Sequence, residues 1–218
     1  MNKKLEQVQK EALTLCAPVF HEMEEISLYN TEKVLSAFRK HHLSAYHFAP
    51  SNGYGYGDPG REKLEEIWCD IFHAESALVR PHFVSGTHAL ATVLLALLEP
   101  GDTMVSAVGA PYDTMESVIG ITGNATGNLI YKGVHYKEVP LKGNTYDLQA
   151  ISDAVDENTK LVEIQRSRGY MLRDSLFPSD IKKIIDTVKA KNPNTICFVD
   201  NCYGEFTNKE EPIELGAD

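Results

Sequence analysis

A chain of 218 residues with a net charge of −10, 43% hydrophobic and 24% charged residues has the composition of a globular protein. The charge excludes a nucleic-acid binder, because phosphate contacts need a basic face and no stretch gathers Lys and Arg into one. The longest nearly apolar run, Ala89 to Leu98, is far short of the roughly 20 residues that span a bilayer, and the polar opening Met1-Asn2-Lys3-Lys4-Leu5-Glu6 carries no signal core, so a cytoplasmic protein without membrane contact is expected.

In chain order, Leu5, Val8, Ala12 and Leu15 recur at helical spacing and predict a first amphipathic helix. A second is expected from about Thr31 to His41, capped by Asn30 or Thr31, with Val34, Leu35 and Phe38 as its apolar stripe. In Gly53-Tyr54-Gly55-Tyr56-Gly57 glycine at alternate positions disfavours a regular element, so this stretch reads as an ordered loop whose tyrosines project outward. Asp58-Pro59 then opens a helix, the acid capping free N–H groups and the proline preset for the first helical position; Leu64, Ile67, Trp68 and Ile71 form its buried stripe.

From about residue 77 the pattern alternates. Strands are expected over 77–83, 103–108, 133–139, 161–165 and 195–199, and helices over 87–98, 112–119, 148–155 and 179–190. Short β-branched strands alternating with helices predict an α/β fold with a mostly parallel sheet covered on both faces. Residues 1–57 read as an N-terminal helical segment and loop, and 58–218 as a larger α/β domain. The last residues, Pro212 to Asp218, bring neither a closing helix nor a polar tail, and a truncated portion of a longer protein is expected.

Several chemistries lack their motif. Cysteines at 16, 69, 197 and 202 form no CxxC pair and read as reduced thiols. His41 and His42 are neighbours, about 100° apart on a helix, and there is no HExxH, so no metal site is expected. No GxSxG marks a hydrolase elbow. Asn124-Ala125-Thr126 is a formal glycosylation sequon that reads as part of a turn-rich loop.

Parallel sheets bind ligands at the carboxyl ends of their strands, so the residues after each strand carry the functional reading. Ser85-Gly86-Thr87 offers a hydroxyl, free N–H groups and the positive end of a helix, a natural anion site without the lysine of a P-loop. Tyr112 stands where it could stack on a flat ring. Asp200, at the tip of an apolar strand, is costly unless a metal, a buried arginine or a protonated pyridine nitrogen meets it. Arg166, Arg168 and Arg173 invite a carboxylate or phosphate. Pyridoxal 5′-phosphate answers all of these features at once: an anionic tail, an aromatic ring and a basic nitrogen.

Residues 51–61, where Asn52 is inserted into Ser-Gly-Tyr-Gly-Tyr-Gly-Asp-Pro-Gly-Arg, together with Ser85-Gly86-Thr87-His88-Ala89, Gly109-Ala110-Pro111-Tyr112-Asp113-Thr114, Gln165-Arg166-Ser167-Arg168-Gly169-Tyr170 and the run Val199 to Phe206, resemble the methionine gamma-lyase family, also called the aluminium resistance protein family and labelled cystathionine beta-lyase-like. The resemblance covers essentially the whole chain. It implies a pyridoxal-phosphate enzyme of fold type I, a three-layer α/β/α large domain incomplete at its C-terminus, assembled as a homodimer or homotetramer. The implied activity is carbon–sulfur lysis of a small-molecule sulfur amino acid. By the same resemblance Gly86 and Thr87 hold the phosphate with Ser85 shaping the turn, Tyr112 stacks on the ring, Asp200 pairs with its nitrogen, and Tyr54 or Tyr56 reaches the phosphate of a neighbouring subunit. Ser167 would contact the cofactor, and Arg166 and Arg168 the substrate. One element departs from the family: its Schiff-base lysine follows the aspartate by roughly two to three dozen residues, whereas only 18 residues follow Asp200 here, with Lys209 their sole lysine, in a charged loop. The catalytic lysine is therefore expected beyond Asp218. Another fold-type-I activity, such as an aminotransferase or aldolase, a non-catalytic cofactor-docking fragment and a nucleotide-binding α/β protein are the alternatives.

Overall fold

The computed structural model describes residues 2–51, 57–123 and 125–218; the tyrosines at 54 and 56 and the Asn124 sequon position lie outside them. The chain forms two compact units.

One unit comprises Met1–Ala77 with Phe206–Lys209. Its helix α1 runs unbroken over Lys3–Lys40, where the sequence predicts two helices. The stretch between them is rich in helix formers and lacks glycine, and its one interruption, Pro18, removes a single backbone donor. Asn2 caps the start, its side chain accepting from Lys4 N–H at 3.0 Å. The C-terminal part of α1 packs on α2 (Pro59–Phe72) through Ala37, Ile67 and Ile71. Asp58 caps α2 as its position before Pro59 predicts, accepting from Arg61 N–H at 3.2 Å. Ile67 and Ile71 are buried, but Leu64 and Trp68 remain partly exposed, Trp68 stacking on Phe72 at 4.9 Å. Buried Asn30 is the polar member of this unit, donating to the carbonyls of Phe206 and Asn208 at 3.0 and 2.9 Å.

The other unit, Leu78–Glu205 with Glu210–Asp218, is built on a four-stranded parallel sheet in the order β2-β1-β3-β4. The strands are β1 (Thr103–Ser106), β2 (His135–Glu138), β3 (Thr159–Gln165) and β4 (Ile196–Asp200). Helices α3 (Gly86–Leu97) and α4 (Asp113–Ile119) cover one face; α5 (Leu148–Ala154) and α6 (Pro178–Lys191) cover the other. This is the parallel, three-layer α/β/α arrangement expected. One predicted strand does not form: residues 77–83 are irregular. Pro81 cannot donate to a ladder, and Phe83 N–H turns back to Arg80 O at 3.2 Å.

Alternation along the strands assigns the two faces. Val105, Val162, Ile164 and Cys197 join Ile181, Ile184, Ile185 and Val188 of α6 in one core. Met104 and Leu161 point the other way, onto Leu94 of α3 and Met115 and Ile119 of α4. Because all four strands are parallel, their carboxyl ends, Ser106, Glu138, Gln165 and Asp200, share one edge of the sheet.

Candidate active site

At that edge lies a cavity of about 430 Å³ lined by Gly86, Thr87, Leu90, Tyr112, Ser167, Asp200, Cys202, Tyr203 and Glu205. Five residues singled out in the sequence, Gly86, Thr87, Tyr112, Ser167 and Asp200, thus meet on one concave surface although 114 positions separate the first from the last.

The anion-binding end is the start of α3. Ser85 caps the helix, its Oγ accepting from His88 N–H at 3.1 Å, so this side chain serves the backbone and is not on the lining. Helix geometry leaves the N–H groups of Gly86 and Thr87 without a partner inside the helix, at the positive end of its dipole. A Cβ built on Gly86 would meet nothing within 4 Å, so the approach to its backbone is open. Thr87 Oγ1 lies 2.6 Å from Thr114 Oγ1, tying the first turns of α3 and α4 together.

Tyr112, the residue before α4, presents its ring beside Tyr170, centroids 5.8 Å apart and planes inclined by 24°. The neighbouring Tyr170 hydroxyl holds the Tyr112 phenol up at about 12, so it stays neutral at physiological pH.

Asp200 ends β4 nearly buried. Its Oδ1 accepts from Cys202 N–H at 3.0 Å, which orients the carboxylate and shapes the turn beyond the strand. Burial first, then the charge of Asp200, pushes the Cys202 thiol up to about 11, so it is not a thiolate nucleophile near neutrality.

The arginines occupy other positions. Arg166 is buried: its Nη1 donates to Asn201 Oδ1 at 2.8 Å and Gly204 O at 2.9 Å, its Nε to Leu176 O at 3.3 Å, and Glu211 faces it at 3.9 Å. A Cβ on Gly204 would come within 2.4 Å of the guanidinium, so glycine there is a condition of this packing. Arg166 therefore braces the loop that carries Cys202, Tyr203 and Glu205, and does not line the cavity. Arg168 is exposed and likewise absent from the lining. Arg173, also buried, donates to the carbonyls of Gln165 and Ser167 at 2.8 and 2.6 Å and fixes the turn on which Ser167 sits. Lys209 belongs to the N-terminal unit, its Nζ 5.8 Å from the Tyr29 ring centre.

Sequence reasoning assigned no role to Leu90, Cys202, Tyr203 or Glu205. The last three come directly after the tip of β4, and that position was their signal. Leu90 lies three residues beyond Thr87, close enough on a helix to share its face.

The residues present suit a small ring that is acidic at one substituent and basic at another: unpaired helix N–H groups for an anion, an aromatic side chain beside the ring, and a nearly buried carboxylate for a cationic nitrogen.

The sequence profile of the family described as methionine gamma-lyase matches residues 5–218. The uncharacterized protein YnbB of Bacillus subtilis (strain 168) is 46% identical over 204 residues, which cover 93% of this chain and 48% of that relative. The crystal structure of a carbon-sulfur lyase involved in aluminum resistance from Clostridium novyi NT superposes with a TM-score of 0.94 at 45% identity, covering 100% of this chain and 52% of that one. The pyridoxal-5′-phosphate dependent protein YhfS of Escherichia coli, at 21% identity, shares the fold, with a TM-score of 0.68 over 89% of this chain and 49% of its own. The chain spans about half the length of these relatives.

Proposed function

The chain belongs to the methionine gamma-lyase family, and on that premise we propose that the protein carrying these residues binds pyridoxal 5′-phosphate in the Asp200 cavity and cleaves a carbon–sulfur bond of a sulfur amino acid. The observation that carries the proposal is the convergence of Gly86, Thr87, Tyr112, Ser167 and Asp200 on one cavity.

The N–H groups of Gly86 and Thr87 would hold the phosphate, and the Thr87–Thr114 contact would keep that cradle rigid. Tyr112 would flank the ring. Asp200 would keep the ring nitrogen protonated, since a carboxylate so little exposed gains more from a cation than from water. Ser167, on the turn fixed by Arg173, would close one side. When bound, the cofactor supplies an electron-accepting ring that stabilises negative charge at the substrate's alpha carbon. No lysine is among the residues that line the cavity; the lysine that takes the alpha proton is proposed to lie outside residues 1–218. Arg168, exposed on the same turn as Ser167, is the arginine left to meet a substrate carboxylate; Arg166 is engaged in the brace of the β4 loop.

A homodimer or homotetramer is part of the proposal, with Tyr54 or Tyr56 reaching the phosphate of a neighbouring subunit, as is a cytoplasmic location. No helix among the described residues is long and apolar enough to cross a membrane.

The test is to express the protein from its own gene and supply pyridoxal 5′-phosphate with methionine or cystathionine. Appearance of a thiol and a 2-oxo acid supports the proposal; amino transfer to an added keto acid refutes it in favour of an aminotransferase. Asp200→Asn is expected to weaken cofactor affinity by about a hundredfold, equivalent to roughly 3 kcal/mol for a charged partner.

A further inference from the structure

Glu163 is the acid the cavity does not use. It stands two residues before Gln165 on β3, and Gln165 pairs with Asp200 of β4, so the two carboxyls occupy one face on a diagonal of adjoining strands. Glu163 is 1% exposed, and its Oε2 has no hydrogen-bond partner among the described residues. Burial first, then the charge of Asp200, holds its carboxyl up at about 8. The other groups on this face are Ser106 from β1 and Tyr136 and Glu138 from β2, whose side chains bond to each other at 3.2 Å; α3 and α4 cover the face with Leu94, Met115 and Ile119. Tyr136 is itself pushed well above the usual tyrosine range by burial, then by Glu138.

The two acids differ in what they face. Asp200 lines the cavity and accepts an N–H bond; among the described residues Glu163 does neither. We infer that Glu163 is a positioning residue that couples occupation of the cavity to a proton: it holds its proton tightly while Asp200 is the unpaired charge at the strand tips, and gives it up more readily once a cationic ring nitrogen has paired with Asp200. This rests on the cofactor reading above. The cation cancels the field of Asp200 at Glu163, so the proton of Glu163 is held less tightly and passes to solvent at a lower pH, although burial still favours the neutral carboxyl. By linkage, a ligand that expels a proton binds more tightly where that proton has already left. Glu163 thereby favours a ring with a cationic nitrogen over the same ring without one, increasingly so as pH rises.

The experiment compares the natural protein with Glu163→Gln and measures affinity, not turnover. The probes are pyridoxal 5′-phosphate and its analogue with carbon in place of the ring nitrogen. For pyridoxal 5′-phosphate, the affinity of the natural protein divided by that of Glu163→Gln is expected to rise about tenfold between about pH 6 and about pH 9. For the carbon analogue the ratio does not rise. Glu163→Met, also neutral and of similar length, gives the same pattern if Glu163→Gln fails to fold. A ratio independent of pH, or an equal rise for the carbon analogue, overturns the inference and leaves the cofactor reading standing. Failure of the natural protein to bind either probe at any pH overturns both.

Discussion

The two faces of the sheet are made by the same strands and have been given different work. On the α5–α6 face, Val105, Val162, Ile164 and Cys197 pack against Ile181, Ile184, Ile185 and Val188, apolar throughout. On the α3–α4 face the alternate residues begin apolar, with Met104 and Leu161, and turn polar toward the carboxyl ends, with Ser106, Glu163, Gln165 and Asp200. The contrast locates where a parallel sheet can carry buried charge. One face keeps an unbroken apolar core, and the other admits acids where the strands end and a cavity opens.

The contrast between the faces is probed most severely at the brace behind the site. Arg166→Ala removes the guanidinium that Glu211 faces at 3.9 Å and that holds Gly204 O, and is expected to cost about 3–5 kcal/mol in urea unfolding. On the apolar face, Ile184→Ala should cost about 2–5 kcal/mol through the void it leaves, with no change in the pH dependence of stability. On the polar face the pH dependence itself is the signature. Glu163 has its folded-state value raised, so its contribution is fully present below the ordinary glutamate range and is lost as pH rises toward about 8. The decline is on the order of 5 kcal/mol, and Glu163→Gln should flatten it in thermal unfolding scans across that window. The smallest effect belongs to the cap: Ser85→Ala should cost about 1 kcal/mol, read by chemical denaturation, and loosen the cradle formed by Gly86 and Thr87.

Much of this was legible before folding. Asp58-Pro59 marked the start of α2, and the apolar periodicity of 179–190 marked α6, because capping and amphipathic burial are local rules. Ser167 and Asp200 stand at or just past the carboxyl ends of β3 and β4, and placing them in a ligand site needs only the parallel-sheet rule. The misread segments turned on details that composition and periodicity do not carry. Residues 77–83 have the composition of a strand, but their backbone turns back on itself at Arg80 and Pro81. The two helices expected before residue 42 are one, since Pro18 costs a single bond within a long helix. Arg166, Arg168 and Arg173 look alike in sequence, yet two are buried on carbonyl oxygens and one is exposed.

The order of residues determined the strand–helix alternation, the caps and the chemistry available at each strand tip, since these depend on neighbours within a few positions. Folding in three dimensions was needed to decide that Gly86, Tyr112, Ser167 and Asp200 share a cavity, that Arg166 turns inward, and that Glu163 lies buried diagonally from Asp200. Those outcomes depend on strand order and register, which bring distant segments together through burial and backbone pairing, and it is the resulting loss of water around a side chain that sets what its charge can do.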